Sequence, residues 1–290
     1  MSVLVDGALA GAIYAVIALA FVVVYKASRI INFALGEWIM VGARLMAAGV
    51  AALGLGGPAA LGAACAGMVG FGLAFNRVVL QRLVGQPLVS LIMVTLGLGA
   101  LMRGSASLVF RGVPAAVPLP VPREPIDVGG LALSADRLAA AGIAVLAVAA
   151  VTCFFRWSRT GLALRAIADD QQAAMGVGID IHRHFSITWG LVGALSVLAG
   201  TLWASVSGGG FGVVLLGLKV FPIVIIGGLD SIPGTMVGAV LVGVLENLAA
   251  GYLDPRLGGG FSTIAAYLVL VAVLLVRPYG LFGRPAVERV

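Results

Sequence analysis

Residues 7–25 read GALAGAIYAVIALAFVVVY, nineteen positions without a charged side chain. A helix that crosses the hydrocarbon core of a bilayer needs about 20 mostly apolar residues, so this stretch is long enough to cross. Asp6 precedes the stretch and Lys26 follows it. The stretch predicts a transmembrane helix, and similar stretches recur along the chain.

The composition indicates a membrane protein. Of the 290 residues, 61% are hydrophobic and 10% are charged, whereas soluble domains have about 25% charged residues. So few charges could not cover the surface of a soluble fold, and the outer solvent must therefore be lipid. The net charge of +6 is explained by basic cytoplasmic loops, and we expect no nucleic-acid partner.

Seven further spanning helices are predicted, which gives eight clear spans. Residues 45–76 are uncharged but are divided into two helices by the sequence GLGGP at 54–58. The remaining stretches are 83–102, 138–155, the first part of 185–218 (cut by Ser207-Gly208-Gly209-Gly210), 235–253 and 261–276. A short broken element around Phe221–Leu229 is a doubtful ninth span. We expect an all-α polytopic transmembrane bundle of about 8–9 spans, with residues 1–290 forming a single membrane-embedded domain.

Basic residues predict the orientation, because cytoplasmic loops carry an excess of Lys and Arg. With the N-terminus outside and the short element crossing, the C-terminus is cytoplasmic. Eleven basic residues then lie inside: Lys26, Arg29, Arg77, Arg82, Arg156, Arg159, Arg165, Arg183, Arg277, Arg284 and Arg289. Four lie outside: Arg111, Arg123, Arg137 and Arg256.

Two loops are long enough to have a function of their own. Residues 111–137 contain five prolines and predict an extended external loop. Residues 156–185 predict a cytoplasmic loop with one helix, capped by Thr160, running to Met175 and stopped by Gly176.

This cytoplasmic helix is predicted to be amphipathic. Leu164, Ile167, Ala168 and Met175 share one face, and Arg165, Asp169 and Gln172 share another. Arg165 and Asp169 are four residues apart and could pair. A helix lying flat on the membrane is one interpretation, but the adjacent acids Asp169 and Asp170 favour docking of a soluble partner.

Enzyme and metal signatures are missing from the sequence. It has no phosphate-binding G-x-x-x-x-G-K-[ST] loop, no H-E-x-x-H and no cysteine pair at metal spacing. His182 and His184 would share a face only on a strand, and no third ligand is nearby. We therefore expect no catalytic residue, no metal site and no cofactor, and any ATP would be hydrolysed by another chain.

A self-sufficient secondary transporter usually couples through ionisable residues at membrane depth. The candidates are Glu37, Arg44, Arg103, Lys219 and Glu246. Most lie near the end of a span or beside glycines, where the charge can reach the interface. Glu246 lies about halfway along its span, either as a coupling group or as a carboxylate that packs helices or faces a water cavity.

Two glycine-containing segments predict broken backbone inside the membrane. They are Ile31–Glu37, between the first two spans, and Gly227–Gly234, after the short element. Irregular backbone at that depth needs protein or a watery cavity around it, and broken helices often line a transport route. Two ordinary surface turns are the alternative.

These segments resemble the branched-chain (hydrophobic) amino acid ABC transporter permeases. Residues 31–37, INFALGE, are similar to the I-N-F-A-x-G-E signature of that family, and residues 217–234 to its second signature. Residues 160–180 resemble its cytoplasmic coupling segment, and residues 277–283, RPYGLFG, its R-P-x-G-[IL]-x-G tail. The resemblance covers essentially the whole chain in the right order.

The resemblance implies a permease subunit in a bacterial inner membrane. Its implied partners are a second related permease, two ATP-binding subunits and a periplasmic substrate-binding protein. The family also imports urea and short amides, so the cargo stays open. The residues expected along the translocation pathway are Asn32, Phe33, Gly36, Glu37, Gly227, Gly228 and Ser231. Those expected to dock the ATP-binding subunits are Thr160, Arg165, Ala166, Asp169, Asp170, Ala173 and Gly176.

Overall fold

A computed structural model describes residues 2–83, 86–115, 125–128 and 131–283. Within these ranges the fold is an all-α bundle, as expected, with one short pair of strands. The helices are α1 (Ser2–Ser28), α2 (Leu35–Ala51), α3 (Gly57–Val78), α4 (Leu88–Val109), α5 (Ala135–Trp157), α6 (Arg159–Asp169), α7 (Gln171–Gly176), α8 (Ile181–Ser207), α9 (Leu216–Gly227), α10 (Ile232–Leu248), α11 (Asp254–Leu257) and α12 (Phe261–Val276). Short 3-10 helices cover Leu80–Leu83 and Phe211–Leu215, and a π-helix covers Ala249–Leu253.

Six helical stretches of the described chain are long and apolar enough to cross a membrane. They are Ser2–Ser28, Gly57–Leu83, Val89–Val109, Ala135–Trp157, Ile181–Ser207 and Ile232–Leu257. The other two clear spans of the sequence correspond to α2 and α12, of 17 and 16 residues. The doubtful ninth corresponds to the short apolar stretch Phe211–Gly227.

Helix α1 forms the centre of the bundle. Every residue from Ile13 to Val24 is buried, as expected for a helix that is apolar on all sides. Glycines allow α10 to lie directly against it, since a Cβ on Gly11 would be 2.7 Å from Val240 Cα and one on Gly7 would be 2.7 Å from Val244 Cα. Small residues at such contacts let helix backbones approach closely.

We expect Gly11→Ala to lower the free energy of unfolding by about 1–3 kcal/mol, because an extra methyl group at a filled contact forces the backbones apart. Gly70→Ala is the matched control, since a Cβ at Gly70 meets no atom within 4 Å. Thermal and denaturant unfolding in detergent micelles measure the difference. Equal stability of the two variants would contradict the close α1–α10 contact.

Helix α2 begins at Leu35, ten residues earlier than the uncharged run from Leu45 predicts. The predicted start is wrong because Glu37 and Arg44 lie within the helix and are both buried. Glu37 is paired with Arg103 of α4. A buried helix can therefore include these charges, because each has polar or aromatic partners.

The chain after α8 runs the length of α1. Its start lies at the end of the bundle where Asp6 and Ser207 share a cavity. Its finish lies at the opposite end, where Lys26 Nζ donates to the Asp230 carbonyl at 3.4 Å. We call these the Asp6 end and the Lys26 end. The broken element is therefore longer than the 221–229 that the sequence predicts, and covers residues 211–227.

The external loop predicted at 111–137 contains regular structure where it is described, and its residues 116–124 and 129–130 lie outside the described ranges. Strands β1 (Pro125–Val128) and β2 (Leu131–Ser134) pair in an antiparallel ribbon, with Ile126 opposite Leu133. Helix α5 then begins at Ala135, inside the predicted loop. The prolines alone do not exclude a strand, because Pro125 is at the first position of β1, where a missing N–H is tolerated.

Candidate functional site

A groove of about 550 Å³ lies between α4, the start of α2 and the segment leading into α9. We call it the α4 groove. Its volume is in the range of ligand pockets, about 300–1,000 Å³. The lining residues are Phe33, Glu37, Leu96, Gly99, Ala100, Arg103, Phe211, Gly212, Val214, Leu215, Gly217 and Leu218. It is an apolar groove with one acid and one base.

The acid and the base of the α4 groove form an ion pair. Arg103 Nη2 donates to Glu37 Oε1. The Glu37 side chain is 6% exposed, whereas that of Arg103 is 57% exposed. A Cβ on Gly99 would lie 3.2 Å from the Glu37 carboxyl carbon, so the missing side chain at Gly99 makes room for the carboxylate.

The first glycine-containing segment meets the approach to α9 backbone to backbone at the edge of the groove. A Cβ on Gly217 would be 2.7 Å from Gly36 N, and one on Gly36 would be 3.0 Å from the carbonyl carbon of Val214. Nearby, the ring centroids of Phe33 and Phe221 are 5.1 Å apart. The start of α2 and the approach to α9 are therefore packed as one unit.

Asn32 is buried next to the lining residue Phe33 but does not itself line the groove. Its side chain Oδ1 accepts from Ala34 N at 3.0 Å, while its buried Nδ2 has no hydrogen-bond partner among the described residues. Phe33 N donates to Thr95 Oγ1 at 3.3 Å. Polar groups of the irregular backbone between α1 and α2 are thus satisfied by protein, as backbone at membrane depth requires.

Gly227 and Gly228 lie at the Lys26 end, away from the α4 groove. Phe282 N donates to the Gly227 carbonyl at 3.2 Å. Gly228 has a φ of +104°, and a Cβ there would be 2.6 Å from Gly283 N. Both features require glycine, because the segment after α12 lies directly on this turn.

Ser231 has a structural role beside that turn. Its Oγ accepts from Gly234 N at 3.1 Å, which makes Ser231 the N-cap of α10. A hydroxyl in this position satisfies one of the free N–H groups at the helix start. The second glycine-containing segment therefore joins α9, α10 and the chain after α12.

A second set of buried charges links three helices. Tyr14 of α1 donates to Glu246 Oε2 at 2.7 Å, and Lys219 Nζ of α9 donates to the same oxygen at 3.1 Å. The Tyr14 ring stacks on Trp203 of α8 at 5.6 Å between centroids. Glu246 belongs to α10, and its contacts agree with the interpretation as a helix-packing carboxylate.

The segment predicted as one docking helix is two helices. Thr160 does not cap the first; Ser158 does, accepting from Gly161 N at 2.8 Å. Asp170 interrupts the helix, since its Oδ1 accepts from Gln172 N and Ala173 N, both at 2.9 Å. An Asp side chain that binds nearby backbone N–H groups competes with helix continuation.

The second helix, α7, ends at Gly176, as the sequence predicts. Leu164 and Ile167 of α6 are buried, but Met175, expected on the same face, is 55% exposed. Leu162 and Val177 are also exposed, by 62% and 78%. The segment therefore presents an exposed apolar surface with acids and bases around it.

The expected pairing of Arg165 with Asp169 is replaced by a different contact. Arg165 Nη2 donates to the carbonyl of Arg156 at 3.5 Å. Ala166 is half-buried, and Asp169 and Ala173 are exposed. Of the two alanines predicted to dock a partner, Ala173 is therefore more accessible than Ala166.

His182 and His184 lie in the first turn of α8 and not on a strand. Residues two apart do not face each other on a helix, and His184 Nδ1 lies 2.7 Å from the Asp180 carbonyl oxygen. In the described parts of the chain, no three His, Cys, Asp or Glu residues cluster in a way that could hold a metal ion.

Comparison with known proteins identifies the family. The family described as "Branched-chain amino acid transport system / permease component" matches residues 3–277. The chain belongs to this family. It is 30% identical to the high-affinity branched-chain amino acid transport system permease protein LivH of Salmonella typhimurium strain LT2, over 98% of this chain and 96% of the relative.

Other relatives agree. The permease is 29% identical to LivH of Escherichia coli strain K12, over 98% of this chain and 96% of the relative. It is 30% identical to BraD of Pseudomonas aeruginosa, over 99% of this chain and 97% of the relative. No solved structure matches the permease. With its apolar helices, the permease is a multi-pass membrane protein of an amino-acid transport family, and its relatives are named as permeases, not enzymes.

The structure brings together only part of the predicted pathway. Phe33 and Glu37 line the α4 groove, and Gly36 packs at its edge. Arg103 also lines it, although the sequence singled it out only as an ionisable residue near the end of a span. Gly99 was missed entirely. A glycine four residues before an intramembrane arginine was the available signal, since i and i+4 share a helix face.

Proposed function

We propose that the permease is the transmembrane subunit of an ATP-driven ABC importer for branched-chain and other hydrophobic amino acids. The observation that carries this proposal is the match to LivH and BraD over 98% or more of the chain. The mainly apolar lining of the α4 groove supports a cargo with an apolar side chain. Urea and short amides are the alternative cargo.

The proposed assembly has separate energy and delivery subunits. A second related permease would complete the pore, two ATP-binding subunits would bind and hydrolyse ATP, and a periplasmic protein would deliver cargo. The permease itself would need no cofactor. Placed in a bacterial inner membrane, the Lys26 end would be cytoplasmic, because basic residues prefer that side.

The α6–α7 segment is the proposed contact for the ATP-binding subunits. It combines exposed apolar side chains such as Leu162 and Val177 with exposed Asp169. Exposed apolar surface within a polar rim is typical of protein interfaces. ATP-driven closure of the partner dimer would move this segment and switch the side to which the pore opens.

Ala173→Trp is expected to reduce amino-acid uptake at least tenfold while leaving basal ATP hydrolysis measurable, because a bulky side chain at the exposed docking surface disturbs the transmission of movement. Ala63→Trp is the control, at an exposed position of α3 away from α6–α7. Uptake and ATP hydrolysis are measured on the same proteoliposomes. Normal coupling in the Ala173 variant would argue against this docking surface.

The class of transporter is tested in the same system. The permease, its partner permease and the ATP-binding subunits are reconstituted with and without the binding protein, and labelled leucine, urea and acetamide are offered. ATP-dependent uptake of leucine is expected. Uptake without ATP by the permease in the absence of its partners would instead establish a self-sufficient secondary transporter or channel. Uptake of urea but not of leucine would show that urea is the cargo.

A further inference from the structure

The Glu37–Arg103 pair leaves the Arg103 guanidinium partly exposed within a membrane-spanning helix. Arg103 lies within α4, six residues before its last residue, Val109, and more than half of its side chain is exposed. A charged side chain facing hydrocarbon is costly unless it can reach the interface. The guanidinium therefore needs polar partners, and Glu37 is the one that the described structure provides.

The guanidinium also does not extend toward the nearer helix end. Side chains on a helix lean toward its N-terminus, and here that direction leads to Glu37, which is buried at the start of α2. The pair therefore holds Arg103 in the α4 groove, whose apolar wall includes Leu96, Val214, Leu215 and Leu218.

We propose that the α4 groove binds the head group of a zwitterionic α-amino acid, with Arg103 on its carboxylate and Glu37 on its ammonium. The inference deepens the proposed function and rests on it. The ligand exchanges one ion pair for two, and the charges stay balanced throughout. Arg presents a planar fork that matches a carboxylate, and the apolar wall receives the side chain.

The geometry sets the selectivity of the groove. A zwitterion leaves no net charge in it, whereas an amine or a carboxylic acid alone leaves either Glu37 or Arg103 without a partner. An unpaired charge is most unfavourable at Glu37, which is buried. Urea and amides carry neither charged group, so they gain nothing from the pair.

The test measures protection of a cysteine in the groove. Ala100, an exposed lining residue, is replaced by cysteine in a Cys65→Ala, Cys153→Ala background, and the assembled complex in nanodiscs is alkylated. Leucine is expected to slow alkylation at concentrations at least tenfold below those needed for isoamylamine or isocaproate. Equal effects of the three compounds, or no protection by leucine, would overturn the inference.

Arg103→Gln in this background is expected to raise the half-protecting leucine concentration at least tenfold, and Arg103→Lys less. Arg111→Gln, an exposed arginine just beyond α4, is the control and should match the parent. An unchanged Arg103→Gln variant would contradict the carboxylate assignment. If that variant does not assemble with the ATP-binding subunits, the inference is tested by the parent alone. Protection by leucine is then compared with protection by isoamylamine and isocaproate.

Uptake assays keep this inference separate from the proposed function. ATP-dependent leucine uptake without leucine protection of the cysteine would overturn the head-group site alone. No leucine uptake by the complete parent complex, with transport of urea or acetamide, would overturn the proposed cargo.

Discussion

Lys219→Met is expected to lower the free energy of unfolding by about 3 kcal/mol, because removing one member of a buried ion pair leaves the other charge without compensation. Glu246 would keep the Tyr14 hydroxyl as its only hydrogen-bond donor, since its Oε1 has no partner in the described chain. Helix α9 would lose its polar contact with α1 and α10, and only the Tyr14–Glu246 hydrogen bond would remain.

The double variant Lys219→Met, Glu246→Gln is expected to recover most of that loss, because a neutral amide can still accept from Tyr14. Such a double-mutant cycle isolates the interaction between the two side chains. Arg256→Met, at an exposed position of α11, is the control for loss of a positive charge. Denaturation in mixed micelles measures the parent, Lys219→Met, Glu246→Gln, the double variant and Arg256→Met. Additive single effects would show that Lys219 and Glu246 do not interact.

The second large effect is expected at the contact between α2 and the approach to α9. Gly217→Ala should reduce transport more than tenfold and stability by about 1–3 kcal/mol. Its new Cβ would be 2.7 Å from Gly36 N and 2.9 Å from Gly36 Cα. Both of these are backbone atoms, which cannot rotate away, so the two segments must separate.

Gly212→Ala is the matched control, because it also lines the α4 groove but its Cβ would meet no atom within 4 Å. Uptake in proteoliposomes and thermal stability in detergent are compared for both variants. The packing of α2 on this segment would be refuted if the two substitutions had the same effect.

Hydropathy predicted the positions of most helices because lipid makes continuous apolar stretches necessary. The predicted 261–276 is α12 to the residue. The same criterion placed the start of α2 too late, because a charge with a partner from another helix does not interrupt a span. Glu37 and Arg103 are 66 residues apart, and a linear pattern does not record which charges will meet.

The candidate site could be predicted from the sequence only where a residue type, such as glycine, indicates an unusual backbone. The sequence singled out Gly36 within the broken segment 31–37, but it did not predict the close approach of Gly217 to Gly36. The docking segment was predicted as one helix because Asp170 is compatible with both continuation and capping. Its backbone, at φ −156° and ψ 110°, is decided by two hydrogen bonds that propensity alone does not weigh.

The segment after α12, residues 277–283, lies on α9, and this contact has a consequence for how the protein folds during synthesis. Leu281 and Phe282 donate to the carbonyls of Ile226 and Gly227, in the last turn of α9. Such carbonyls have no partner within their own helix, and here the donors are synthesised more than fifty residues later. Since chains emerge N-terminal end first, the α9–α10 hairpin remains incomplete until residues 277–283 leave the ribosome. The last turn of α9 therefore acquires these two donors late in synthesis, after α10 and α12 have been made.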